Sequence, residues 1–236
     1  MIKWEHWQDQ FDESWHKWVK PLITSPKFDK DFSNIKEYAK QGHIVLPSSG
    51  SNNLFRVFRE VKYEDVKVAV VGLSPYNKKV GHTEIADGLA MSCSSTGNLQ
   101  PTLEKWYDAL EREVGKVEKR ADLKYLAEEG VFLYNYALTC GLGDPDVHVD
   151  YWEWFSKELF RTAISEKDVP VITMGKVAAE VLGQIMPWQP YWELEHPSYA
   201  ARQQRAWDNK NCFTESKVII NKKGLPFTWA IQKEVF

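Results

Sequence analysis

The segment Val68-Ala-Val-Val-Gly72-Leu-Ser-Pro-Tyr-Asn77 constrains the fold of this chain more than any other. A β-branched apolar run that stops at Gly and then meets Pro reads as a buried parallel strand handing the chain to a rigid loop. In an open α/β sheet such loops lie at the carboxyl edge, where ligands bind. Two later runs also end in polar residues able to read a ring. Val131-Phe-Leu-Tyr134 is followed by Asn135, and Tyr191-Trp-Glu-Leu-Glu195 by His196-Pro-Ser198. Strand ends tipped with Ser74, Asn135 and His196 predict one pocket at one sheet edge.

Hydrophobic periodicity and breaker residues predict helices over 3–20, 28–38, 53–59, 101–113, 124–129, 151–166 and 175–185. Strands are predicted over 66–71, 131–135, 170–174 and 190–195. The stretch 74–91, with Gly81 and Gly88, reads as irregular loop, and Lys217-Val-Ile-Ile-Asn221 reads as a strand by propensity. Alternating strands and helices imply a three-layer α/β/α fold around a parallel sheet. No Pro/Gly/Ser-rich linker divides the 236 residues, so one domain over 1–236 is expected, long enough for one substantial core. The chain holds 11 Trp, some of them on a stripe of Trp4, Trp7, Phe11, Trp15 and Trp18 at helical spacing. Such a helix either docks on its own domain or offers a face to a protein partner.

Several classes are excluded. No apolar run approaches the ~20 residues of a membrane span, and the polar N-terminus is not a signal peptide. Cys93, Cys140 and Cys212 are odd in number and far apart, so reduced thiols in a cytoplasmic setting are expected. A net charge of −3 argues against strong nonspecific nucleic-acid binding but permits a local basic groove. Asp144-Pro-Asp-Val-His148-Val-Asp150 superficially suggests a metal site, yet it lacks the Gly and terminal Glu of a calcium loop. No P-loop or dinucleotide fingerprint is present. Neither a metal nor an organic cofactor is expected.

Gly72-Leu-Ser-Pro-Tyr-Asn77 resembles the Gly-Gln-Asp-Pro-Tyr-His loop of family 1 uracil-DNA glycosylases. Collinear segments extend the likeness over roughly 15–230. Phe55-Arg-Val-Phe58 resembles the lead-in to the first strand, Asp87-Gly-Leu-Ala-Met-Ser92 the His-Gly-Leu-Ala-Phe-Ser segment, and Pro101-Thr-Leu the Pro-Ser-Leu helix start. Leu133-Tyr-Asn-Tyr-Ala-Leu-Thr139 is similar to Leu-Leu-Asn-Thr-Val-Leu-Thr, Met174-Gly-Lys176 to Trp-Gly-Ser, and His196-Pro-Ser198 to the start of His-Pro-Ser-Pro-Leu. The resemblance implies four parallel strands between helices, with DNA across their carboxyl ends, and it turns 217–221 into helix.

It also implies roles. Enzymes acting on a base extrude it and read its Watson–Crick edge. Asn135 would pair with the O4 and N3–H edge of uracil, with Leu73, Tyr76 and Met91 completing the base pocket. Tyr76 would exclude a 5-methyl group, and His196 would stabilise negative charge on the departing base. Pro101 and Thr102, at a helix N-terminus, would hold a phosphate, and Gly175, Lys176 and Ser198 would touch flanking phosphates.

The departures from the family carry equal weight. Ser74 stands where the family has its catalytic Asp, and a hydroxyl supplies no negative charge. Asp87, or Glu84, is the sequence's candidate for a replacement carboxylate. Met91 replaces a stacking Phe and fixes no ring plane. The intercalating Leu becomes Ala200, which leaves Tyr199 as a wedge or a single-stranded substrate that needs none. Arg202 and Arg205 give this loop positive charge for phosphates. The leading expectation is a monomer that binds single- or double-stranded DNA and hydrolyses the N-glycosidic bond of a flipped pyrimidine. The alternative is an inactive homologue that reads a base or serves a partner through the Trp-rich segment.

Overall fold

The computed structural model describes residues 3–48, 52–186 and 189–230. In chain order the helices are α1 (His16–Ile23), α2 (Pro26–Lys40), α3 (Val57–Glu60), α4 (Pro101–Val114), α5 (Lys124–Glu128), α6 (Val149–Leu159), α7 (Ser165–Lys167), α8 (Lys176–Ile185), α9 (Pro197–Arg202) and α10 (Cys212–Lys222). The strands are β1 (Val45–Leu46), β2 (Val68–Gly72), β3 (Lys79–Val80), β4 (Thr83–Glu84), β5 (Val131–Asn135), β6 (Cys140–Gly141), β7 (Val171–Met174) and β8 (Tyr191–Leu194). The main sheet has the order β5-β2-β7-β8, every pair parallel. β2, β5 and β7 are buried at every residue, as near-continuous Val/Ile/Leu/Phe runs require in a sheet covered on both faces.

Register sets the site. Gly72 pairs with Asn135 across β2 and β5, and Met174 pairs with Leu194 across β7 and β8. The four strands therefore release the chain at the same edge, at Leu73, Tyr136, Gly175 and Glu195. The Gly175 N–H donates to the Leu194 carbonyl at 2.8 Å. Gly175 sits at φ +102°, a backbone conformation open to Gly, and so turns β7 sharply into α8.

Three local expectations are corrected. The 3–20 segment is not one helix: short 3-10 turns at Trp4–His6, Gln8–Gln10 and Glu13–Trp15 precede α1. Asp12 breaks the run, being extended at ψ 145°, donating its N–H to the Phe58 carbonyl and capping the Ser14 N–H. The aromatic stripe also faces inward. Trp15 is fully buried, stacks on Phe132 at 4.9 Å and donates its indole N–H to the Val61 carbonyl, and Trp4 and Phe11 are buried with it. Trp4, Phe11 and Trp15 are thus core residues, while Trp7 and Trp18 are half-buried and packed against the same cluster.

The second correction is a small β3–β4 hairpin inside the stretch read as irregular, with Gly81 at φ +60° in its two-residue turn. The third is 217–221, which is helical as the family resemblance implies. Cys212, Phe213, Ser216 and Ile220 in α10 are buried at helical spacing while Val218 is exposed, so tertiary burial overrides β propensity. One hydrophobic cluster runs from Trp4 to Ala230. All three cysteines are buried and free. No helix among the described residues is long and apolar enough to cross a membrane.

Candidate nucleobase site

A cleft of about 700 Å³ opens at the carboxyl edge of the sheet. Its lining brings together Leu73, Ser74, Tyr76, Met91, Asn135 and His196, with Pro101, Thr102, Gly175, Ser198 and Arg202 around them. Residues about 120 positions apart in the chain meet here because parallel strands deliver their ends to one place.

Asn135 is 5% exposed, yet no described residue hydrogen-bonds its side-chain amide. The amide's donors and acceptor are available to a ligand in the cleft. The backbone makes room for this group: a Cβ built on Gly72 would lie 3.0 Å from Asn135 Oδ1.

His196 has a defined tautomer. The Ser198 N–H donates to its Nδ1 at 3.2 Å, and the Ser198 hydroxyl lies 2.8 Å from the same atom. Nδ1 is thus an acceptor, so the neutral ring carries its proton on Nε2. Burial, and then the Arg202 guanidinium, push its pKa down to about 4. At neutral pH His196 is an uncharged N–H donor in the cleft.

Tyr76 donates its hydroxyl to the Met91 carbonyl at 3.1 Å, which pins the ring as a wall. Burial raises the phenol's pKa, so it stays protonated. Met91 is 6% exposed and sits at φ +63°, a left-handed conformation rare for a side-chain-bearing residue and typical of binding sites. α4 begins at the cleft with Pro101 in its first turn and no side-chain cap from Gln100. Its first N–H groups are free for an anion.

Several expected residues are elsewhere. Asp87 is not a cleft carboxylate. It is 1% exposed, paired with Arg56 at 3.0 Å, and accepts from the Ser92 hydroxyl at 2.6 Å and from the backbone of Leu89 and Ser94. Glu84 accepts from the Ser48 N–H at 2.9 Å and pairs with Lys79. Arg205 is engaged with the Glu195 carboxylate at 2.5 Å, and neither it nor Lys176 lines the cleft. Ala200 is fully buried, whereas Tyr199 is 43% exposed on the same helix, within 5.8 Å of the Arg202 guanidinium. His148, singled out within the acidic segment, is buried, with Nδ1 3.0 Å from the Thr139 hydroxyl. The cleft also takes in Lys78, Gln100, Pro145, Asp146 and Met174, to which the sequence reading gave no role. The sequence signal for Asp146 is the acidic run Asp144-Pro-Asp146 after the Asn-bearing strand.

The sequence pattern of the Uracil DNA glycosylase superfamily matches residues 58–218. This chain belongs to the uracil DNA glycosylase superfamily. A relative from Borreliella burgdorferi, "Uracil-DNA glycosylase", is 31% identical over 195 residues, which cover 80% of this chain and 84% of the relative. One of the same name from Acinetobacter baylyi is 26% identical over 227 residues, 94% of this chain and 93% of its own. Among solved structures, a mimivirus UNG variant in complex with UGI superposes with a TM-score of 0.80 at 19% identity, over 94% of this chain and 89% of that one. The wild-type UNG of Nitratifractor salsuginis superposes with a TM-score of 0.59 at 17% identity, over 97% and 99%. Both have the superfamily's layered fold.

Proposed function

We propose that this protein hydrolyses the N-glycosidic bond of uracil, or a closely related pyrimidine, extruded from DNA. The carrying observation is the pairing, in one cleft, of the buried unpartnered Asn135 amide with the neutral His196 Nε2–H donor. Asn135 pairs with the O4 and N3–H edge of the base. His196 donates to O2, where charge collects as the C1′–N1 bond breaks and its electron pair leaves with the base. A neutral donor serves here because no proton need be transferred. Water adds to C1′ and loses its proton, and the uracil anion is reprotonated by solvent. Tyr76 blocks a 5-substituent, while Leu73 and Met91 close the pocket.

The α4 N-terminus at Pro101 and Thr102, with Gly175, Ser198 and Arg202, holds the phosphates. Tyr199 is the exposed ring able to fill the gap left by a flipped base. The relatives named uracil-DNA glycosylase support this reaction class. Ser74 favours one competing reading, a base reader without hydrolysis, because it brings no charge to the sugar.

The deciding experiment is single-turnover excision on single-stranded and duplex oligonucleotides carrying uracil or 5-substituted uracils, with His196→Ala as control. Excision that disappears in the variant supports the glycosylase. Tight, base-dependent binding without cleavage makes the protein a reader. Neither excision nor base-dependent binding removes both.

A further inference from the structure

The transition state for losing a nucleobase leaves positive charge on the sugar, and Ser74 offers it only a hydroxyl. Asp87 and Glu84 are bound elsewhere in the fold. Among the described residues that line the cleft there is one carboxylate, the exposed Asp146, and Lys78 and Arg202 are cations of the same lining. The Asp146 carboxylate is hydrogen-bonded to no described residue, and its own N–H is held by Asp144 Oδ1 at 3.3 Å.

The turn that carries Asp146 is tied to the loop that carries Ser74. The Gly143 N–H donates to the Asn77 carbonyl at 2.8 Å, and Cys140 Sγ lies 3.5 Å from the Pro75 carbonyl. The other side of the turn is fixed by Leu142 N–H donating to the Ile44 carbonyl and by the β1–β6 pairing. The Cys140 thiol is pushed up to about 12, by burial first and then by the carboxylates of Asp144, Asp146 and Glu84.

We propose that Asp146 is a catalytic residue that supplies, from the turn after β5, the negative charge that Ser74 cannot. Resting on the glycosylase reading, it gives that site its water-activating group. The C1′–N1 bond breaks with its electron pair on uracil. The Asp146 carboxylate faces the resulting cation, orients the water, and takes its proton as the water oxygen bonds C1′. That proton passes to solvent, and the uracil anion takes one from solvent. The Ser74 hydroxyl holds the water as a neutral partner.

The test is single-turnover excision of uracil from a single-stranded oligonucleotide by the full chain and by D146N, S74D and S74D/D146N. Kd for the same oligonucleotide carrying 2′-fluoro-deoxyuridine and the melting temperature are read alongside. D146N is expected to slow excision by about 10²-fold, typical for a preorganised electrostatic group, with Kd unchanged or tighter and the melting temperature unchanged. S74D is expected to restore most of the rate in the D146N background. Excision by D146N within about threefold of wild type overturns the proposal and leaves the glycosylase standing. Weaker binding and a lower melting temperature that account for the lost rate overturn it too, by making Asp146 structural. No excision by any of the four proteins removes the glycosylase reading, and the proposal with it.

Discussion

At the scale of single residues the site works by leaving polar groups free where a fold normally satisfies them. His196 spends Nδ1 on its own helix cap and so presents Nε2–H outward. Replacing it with Ala is expected to lower single-turnover excision by about 10²- to 10³-fold, the usual effect of losing one preorganised donor to a developing anion. Because its pKa lies near 4, NMR of the ring should show no titration around 6.5, and a normal midpoint there would contradict a buried neutral donor. Asn135→Ala should erase discrimination between uracil and cytosine while leaving phosphate contacts, and an unchanged preference would sink the pocket assignment. Gly72→Ala tests the amide's surroundings. Its Cβ would sit 3.0 Å from Asn135 Oδ1, so excision is expected to fall further than stability.

At the scale of elements, the cleft wall containing Met91 depends on a buried charge network rather than on regular structure. Arg56 pairs with Asp87, Glu60 and Asp122, binding the lead-in helix α3 to the 86–94 loop. Asp87→Asn leaves Arg56 its Glu60 and Asp122 partners but removes the charged acceptor of the Ser92 hydroxyl and of the Leu89 and Ser94 N–H groups. It is therefore expected to destabilise the protein by about 1–3 kcal/mol in denaturant unfolding, with excision reduced only through the unfolded fraction. A loss below about 1 kcal/mol would place this network in the range of surface ion pairs. The N-terminal aromatics behave similarly as internal structure. Trp7 packs edge-on against Phe28, Phe32 and Phe55, welding the first turns to α2 and the sheet cover.

At the scale of the whole molecule, buried imidazoles link stability to pH. His148 is fully buried, and burial lowers its pKa from 6.5 to about 4, with Asp144 opposing. Between those values the unfolded chain binds more protons than the native one. Stability is therefore complete above about pH 6.5 and falls as pH drops toward 4. His196 acts in the same direction. Melting curves from pH 7 to 4.5 should show this loss, and His148→Gln should flatten it. An equal slope in the variant would assign acid lability to other groups.

The sequence by itself determined the parallel sheet, the strand ends and the residues they carry, because each is encoded locally. β-branched runs ending in Gly or in a polar residue became buried strands at β2 and β5, although Lys217-Val-Ile-Ile-Asn221 has the same local pattern and folds as helix. The β5 limits follow from Val131–Asn135 alone, and the family motifs lie in order along the chain. Tertiary structure alone decided which groups are free. Asp87 and Asp146 are both aspartates in loops, and nothing local distinguishes them. Arg56, 31 positions before Asp87, consumes the first, while the turn tied to Asn77 leaves the second facing the cleft. The fate of the Trp stripe was settled in the same way, because a helical spacing of aromatics cannot specify which surface covers it. Burial and partnership are properties of the whole packing, and only the assembled core assigns them.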